Sequence, residues 1–99
     1  MKYQLVLQYQ NMSFAQIIKI EDLLTERISS GGDVDGHDFG QGEGNIFILT
    51  DNPDDTFEEV KKILMTNGDW AGIRVGFREV SENHYTVLWP KNSDRFTVA

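Results

Sequence analysis

The chain has 99 residues, 39% of them apolar, and it contains no cysteine. A domain of this length can bury one modest core, and the lack of cysteine excludes disulfides, thiol catalysis and cysteine-ligated metals. The longest apolar runs lie in Asn45–Thr50 and Tyr85–Trp89, far short of the ~20 residues of a membrane-spanning helix. Met1–Gln4 lacks the apolar core of a signal peptide. We therefore expect one domain over residues 1–99 and a cytoplasmic location.

The charge is acidic and unevenly distributed. Sixteen acids against nine bases give a net charge of −7, and twelve of the acids lie between Glu21 and Glu59, where Arg27 is the one base. Such a field repels phosphate, so we expect neither nucleic-acid binding nor attachment to an anionic membrane. It attracts cations and basic protein surfaces. The alternative is that these acids only keep a small domain soluble and favour helix N-termini.

The chain begins with the pattern of a strand followed by a helix. Lys2–Gln10 alternates apolar and polar residues, interrupted by Val6, which predicts a strand with one buried face. Ser13 and Gln16 have the spacing of a capping box at the start of a helix. The helical pattern stops at residues 29–32, Ser-Ser-Gly-Gly, where glycine favours a left-handed helix end.

Two further strands and a second helix follow. Asp33–Phe39 is extended but polar and predicts an edge strand, whereas Asn45–Thr50 is apolar on both faces and predicts a central strand. The residues between them are rich in glycine and predict a turn. Asn52-Pro53 is typical of a helix start, and Asn67-Gly68 of a helix end.

The last part of the chain predicts a hairpin and a tail. Ile73–Val80 alternates apolar and polar residues, and in His84–Trp89 the alternation places Tyr85, Val87 and Trp89 on one face. Residues 91–99 are polar apart from Phe96 and Val98, and we expect them to be loosely docked or frayed.

This order of elements predicts an α+β fold, the ferredoxin-like βαββαβ plait with a C-terminal hairpin strand. In this plait both helices lie on one face of an antiparallel sheet. Its strand order, 4-1-3-2, places the first and third strands at the centre and the polar second strand at an edge. The additional strand then lies beside the fourth.

The sheet face opposite the helices, which we call the open face, carries surplus apolar residues. Asn45–Thr50 is apolar on both sides, and Val6 adds to the side without helices. A second copy of the chain, the tail or a ligand could cover this face. We predict a homodimer that packs sheet to sheet.

The segment Val34–Asn45 is the strongest candidate for a site, because it combines glycines, carboxylates and a histidine. In a regular strand Asp33, Asp35 and His37 point to one side and Asp38 to the other. The first three could hold a divalent metal, or an aspartate could assist proton transfer by the imidazole. The third interpretation is a hairpin with a polar edge.

No metal-binding or phosphate-binding motif is complete in this segment. Asp33–Gly36 resembles the start of a calcium loop but lacks the later ligands, and the glycines at 40, 42 and 44 lead into a strand rather than a helix. We therefore predict neither a metal nor another cofactor. The candidate residues are, for catalysis, Asp35, His37 and Asp38, and, for binding, Glu43, Asn45, Arg74 and Arg78.

Several segments resemble a family of small, uncharacterised bacterial proteins. The resemblance lies in Val34–Asp38, Gly42-Glu43, Asn45–Ile48 and Tyr85–Pro90, and its pattern covers most of the chain. It implies a bacterial cytoplasmic protein with a ferredoxin-like fold. It implies no established activity and no catalytic residues.

Two functions are consistent with these features. The first is a non-enzymatic binding module that acts as a homodimer and has an immunity- or inhibitor-like role against a basic protein. The second is a small dimeric enzyme or ligand-binding protein with its pocket on the open face. There His37, with Asp35 or Asp38, would act as an acid–base or orienting group.

Overall fold

The structure is a computed structural model that describes residues 1–29 and 31–98. Ser30 and Ala99, which belong to the predicted end of the first helix and to the predicted tail, lie outside the described residues. The elements are β1 (Tyr3–Gln10), α1 (Phe14–Arg27), β2 (Asp33–Gly40), β3 (Glu43–Thr50), α2 (Pro53–Asn67), β4 (Arg74–Glu79) and β5 (Thr86–Trp89). The strands form one antiparallel sheet in the order β2-β3-β1-β4-β5. The predicted α+β class, with an antiparallel sheet and two helices, is confirmed.

Both helices begin at the predicted caps. The Ser13 hydroxyl accepts a hydrogen bond from the Gln16 amide at 3.2 Å, and the Asn52 side chain accepts one from the Asp55 amide at 3.2 Å. The prediction that glycine ends α1 is wrong. Ile28 already has extended angles, φ −68° and ψ 128°, so the helix ends at Arg27 before any glycine is reached.

One face of the sheet packs against both helices and forms the core. Leu5 and Leu7 of β1 lie between Ile48 and Ile46 of β3 on one side and β4 on the other. Each such aliphatic side chain contributes about 2 kcal/mol when fully buried. The core consists of Leu5, Leu7, Tyr9, Ile17, Ile20, Leu24, Ile46, Ile48, Phe57, Val60, Leu64, Ile73 and Val75.

Tyr9 adds a polar contact to this core. Its hydroxyl donates a hydrogen bond to the backbone carbonyl of Asp69 at 2.8 Å, which joins β1 to the segment after α2. Burial of the ring, followed by the negative charge of Asp69, raises the pKa of Tyr9 well above its ordinary value. The phenol therefore stays protonated, and keeps its donor, to a higher pH than an exposed tyrosine does.

The open face is covered in part by the tail, which we define as residues 91–98. Phe96 is 6% exposed and Val6 is fully buried. The Phe96 ring packs on Gly76, the cross-strand neighbour of Val6. The expectation of a loosely docked tail is therefore wrong, because an aromatic side chain anchors it. Phe47 and Leu49 remain half-buried on this face.

Both edge strands contain an irregularity that reverses the faces of their residues. In β2 the register shifts between Val34 and Gly36, so that Asp33 pairs with Leu49 on the open face and His37 with Ile46 on the helix side. The prediction that Asp33 and His37 point to one side is wrong for this reason. A bulge adds one residue to a strand and inverts the alternation beyond it.

The same effect occurs at the opposite edge. Between Val75 and Gly76 the register with β5 shifts, so that Val87 pairs with Gly76 and Trp89 with Val75. Val87 therefore lies on the open face and Trp89 on the helix side. The prediction that they share a face is wrong.

Candidate functional site

His37 pairs with a carboxylate of the first helix. Its Nδ1 lies 3.0 and 3.1 Å from the two carboxylate oxygens of Glu21, and its ring meets that of Phe14 edge-on, with 5.6 Å between centroids. The side chains of His37 and Glu21 are 29% and 16% exposed. This arrangement fixes β2 to α1.

The hypothesis that His37 acts on the open face with Asp35 or Asp38 does not fit this geometry. His37 is on the helix side of the sheet, whereas Asp38 pairs with Asn45 on the open face. Asp35 lies at the bulge and is exposed. The three candidate catalytic residues are therefore not brought together, because the bulge turns His37 toward Glu21.

Three of the candidate residues do meet, at the end of the β2–β3 hairpin. Asp38, Glu43 and Asn45 line a surface cavity of about 270 Å³ on the open face, together with Gly40 and Gln41. Asn45 is 1% exposed and forms the floor, while the carboxylates stand at its rim. Two carboxylates in a concave site attract a small cation.

Glutamines of β1 hold this floor in place. The Gln8 amide, 3% exposed, donates to the Asn45 side-chain oxygen at 3.1 Å, and the Asn45 amide donates to Glu43 at 3.1 Å. Gln10 also donates to Glu43, at 3.2 Å. Asn45 therefore has a fixed orientation. Neither glutamine is among the residues predicted from the sequence to form a site, although the alternation in β1 indicates that both leave the core face.

The two candidate arginines lie on the open face, where they pair with Gln8 and Gln4 of β1, and both donate hydrogen bonds to backbone carbonyls. Arg74 donates to the Ser93 hydroxyl at 3.0 Å and to the Arg95 carbonyl. Arg78 donates to the Gln4 side chain at 3.1 Å and to carbonyls of the turn after β4, including that of Glu82 at 2.8 Å. Their contacts hold the tail and a turn.

Exposed acids from several elements converge at one end of the sheet. Tyr3 pairs with Thr50 and Asp33 with Leu49, so α1 ends, β2 begins, β3 ends and α2 begins at this same end. The amide and hydroxyl of Ser29 donate to Glu59 of α2, at 2.9 and 2.7 Å. We call the part of this end formed by α1, β2, α2 and the loop before α2 the acidic end; its exposed acids are Glu26, Asp33, Asp51, Asp54, Asp55 and Glu58.

Three further observations concern the site and the chain as a whole. Within residues 1–29 and 31–98, no group of three or more histidine or carboxylate side chains is placed to hold a metal ion. No helix in that same part of the chain is long and apolar enough to span a bilayer. Comparison with protein-family models, with curated proteins and with solved structures finds no match for this chain.

Proposed function

We propose that this chain is a non-enzymatic interaction module whose acidic end binds a basic protein surface, in the manner of an immunity or inhibitor protein. The observation that carries the proposal is the convergence of six exposed acids from α1, β2, α2 and the loop before it. Lys2, Arg27 and Lys62 are also exposed here, Lys62 beside Asp55 and Glu58, and the six acids outnumber these three bases.

Electrostatics explains why such an end favours a basic partner. Charges that lie within a Debye length of about 10 Å act together on an approaching surface at 0.1 M salt. The resulting field accelerates association with a basic partner and repels nucleic acid. The enzymatic alternative on the open face loses its support, because His37 lies on the helix side of the sheet, away from Asp38.

Capture at low salt tests this proposal. The wild-type chain, immobilised and exposed to a bacterial lysate at about 50 mM salt, should retain a protein of high isoelectric point and release it near 0.5 M salt. The variant Asp33→Asn/Asp54→Asn/Glu58→Gln should lose that protein, because it removes three charges from the acidic end.

A matched variant separates location from total charge. Asp22→Asn/Asp38→Asn/Asp94→Asn removes the same charge elsewhere, so it should retain the partner. Equal loss in both variants would show that only net charge matters. If no basic protein is retained at low salt, the proposal is wrong.

A second candidate function is the binding of a small cation at the β2–β3 cavity. The observation that favours it is the meeting of Asp38 and Glu43 over the buried amide of Asn45. An organic amine or guanidinium compound suits this lining, because it offers both positive charge and hydrogen-bond donors. His37 has no part in this candidate.

Thermal unfolding with amines, guanidinium compounds and divalent metals tests the second candidate. A ligand at 100 times its dissociation constant stabilises a protein by about 2.7 kcal/mol. Asp38→Asn should abolish the stabilisation, and Asp35→Asn, which removes a carboxylate outside the cavity, should preserve it. Stabilisation that survives Asp38→Asn would place the ligand elsewhere.

The fold family, the bacterial origin, the location and the oligomeric state of the protein are also proposals. We infer a ferredoxin-like plait extended by β5, supported by the strand order and by the two helices on one face of the sheet. Membership of the small bacterial family, a cytoplasmic location and homodimer formation remain predictions. Sedimentation of the purified chain tests the last of these, for which Phe47 and Leu49 offer the half-buried apolar surface.

A further inference from the structure

The tail crosses the open face by contacts that resemble those of a bound peptide. Its Phe96 ring fills the space above Gly76, where a Cβ atom would lie 2.8 Å from the ring. The ring also meets Tyr85, with 5.3 Å between centroids. Phe96 thus anchors the tail in a socket above Gly76, and any residue larger than glycine at that position would fill this space.

The remaining contacts are made mainly to the backbone of the tail. Gln8 donates to the Thr97 carbonyl at 2.8 Å, and Arg74 donates to the Arg95 carbonyl. These carbonyls belong to the residues directly after and before the aromatic anchor. Arg74 also donates to the hydroxyl of Ser93. Sheet side chains therefore recognise a backbone with one aromatic side chain, a chemistry that does not depend on most of the tail's sequence.

The tail leaves this groove incompletely satisfied. The Arg74 Nε atom is buried and has no hydrogen-bond partner among the described residues. A buried donor without an acceptor costs free energy that an acceptor from another segment would recover. A segment that supplied an acceptor to this atom would make one contact to Arg74 that the tail does not make.

From these contacts we infer that the groove formed by Gln8, Arg74, Gly76 and Tyr85 is a peptide-binding site that the tail occupies in cis. Its ligand in trans is an extended segment of another protein with one aromatic residue and an acceptor for Arg74. This surface is separate from the acidic end, so the inference goes beyond the proposed function.

Competition by the tail governs the affinity in trans. A segment attached through a short connection competes at an effective concentration in the millimolar range. A free peptide therefore binds the wild-type chain weakly, and removal of the Phe96 ring opens the socket to it.

Binding of a peptide with the sequence of residues 91–99 tests the inference. The full chain carrying Phe96→Ala should bind the fluorescent peptide at least about tenfold more tightly than the wild-type chain does. The same peptide carrying F96A should not bind. Adding Gly76→Val to the Phe96→Ala chain should abolish binding, whereas Gly40→Val, at a glycine with open space around it, should preserve it.

A second measurement uses only the wild-type chain and decides the question if Phe96→Ala fails to fold. Excess unlabelled peptide should displace the tail of an isotope-labelled chain, so that the amides of residues 93–98 become mobile on the NMR timescale. Equal binding of both peptides, or an undisturbed tail at several times the effective concentration, would overturn the inference. A dimer that exchanges its tails at high concentration would also overturn it, because the occupant would then be a second copy.

Discussion

Each face of the sheet is covered by a side chain that packs on a glycine, but the two covering segments differ in structure. On the helix side, Ile17 of α1 packs on Gly44 so closely that an added Cβ would collide with it; on the open face, Phe96 of the tail packs on Gly76. The first cover is a helix with a continuous apolar stripe, and the second is an irregular segment with one anchor. A helix is joined to the core along its length, whereas the tail is held at one ring and a few hydrogen bonds, so we expect it to detach before the core unfolds.

The largest effect should come from Gly44→Ala. The new methyl group collides with two atoms of Ile17 inside the core, and overpacking of this kind lowers the free energy of unfolding by about 3 kcal/mol. Urea denaturation measures the loss. Gly40→Ala, which meets nothing within 4 Å, is the control and should change stability by under about 0.5 kcal/mol. Equal effects at 40 and 44 would contradict the close packing of α1.

Phe96→Ala should have the next largest effect. It removes a buried ring, but the loss is limited to the docking free energy of the tail, about 2 kcal/mol. Hydrogen exchange should show the tail released while β1 and β3 stay protected. Gly76→Ala should cost little once Phe96 is alanine, and a double-mutant cycle measures this coupling. Additive costs would show that the ring and Gly76 are independent.

Tyr9→Phe should have a smaller effect that depends on pH. At neutral pH the lost hydrogen bond to Asp69 costs about 1 kcal/mol. Because burial raises the Tyr9 pKa in the folded state, only the unfolded chain releases this proton above about pH 10. Stability of the wild type should then fall by roughly 1.4 kcal/mol per pH unit. In an alkaline titration, the free energy of unfolding of the Tyr9→Phe variant should lack this fall. The same dependence of stability on pH in the variant and in the wild type would contradict the prediction.

The smallest effect should come from His37→Ala. The pair with Glu21 is partly exposed, and exposed ion pairs contribute about 0.5 kcal/mol. Glu21→Gln should produce a similar loss, and the double variant should lose no more than either one. Thermal unfolding measures all three. If His37→Ala instead left stability unchanged but abolished binding of an amine or guanidinium compound, the imidazole would have a role in binding.

The helix-side cover could be predicted from sequence because it follows from periodicity. The alternation in Lys2–Gln10 and the helical spacing after Ser13 and Asn52 specify which residues meet in the core. These signals are local, and they are repeated over many residues.

The open face could not be predicted in the same way, because single positions determine it. A bulge in β2 turns His37 away from Asp33, and another in β5 separates Val87 from Trp89, yet a bulge leaves no periodic signal. Phe96 and Gly76 are far apart in the chain, so their contact follows only from the sheet. The cavity lined by Asp38, Glu43 and Asn45 likewise depends on the register of β2 with β3.

The bulge in β2 also has a consequence for how the protein behaves in a crowded solution. An exposed edge strand presents free backbone donors and acceptors to which another strand can add, the first step of aggregation. Here the bulge at Gly36, with φ +138°, distorts that edge, and the exposed carboxylates of Asp33, Asp35 and Asp38 charge it. A second β2 edge is therefore repelled before it can align. The aspartates that first suggested a chemical site therefore also disfavour the addition of another strand at this edge.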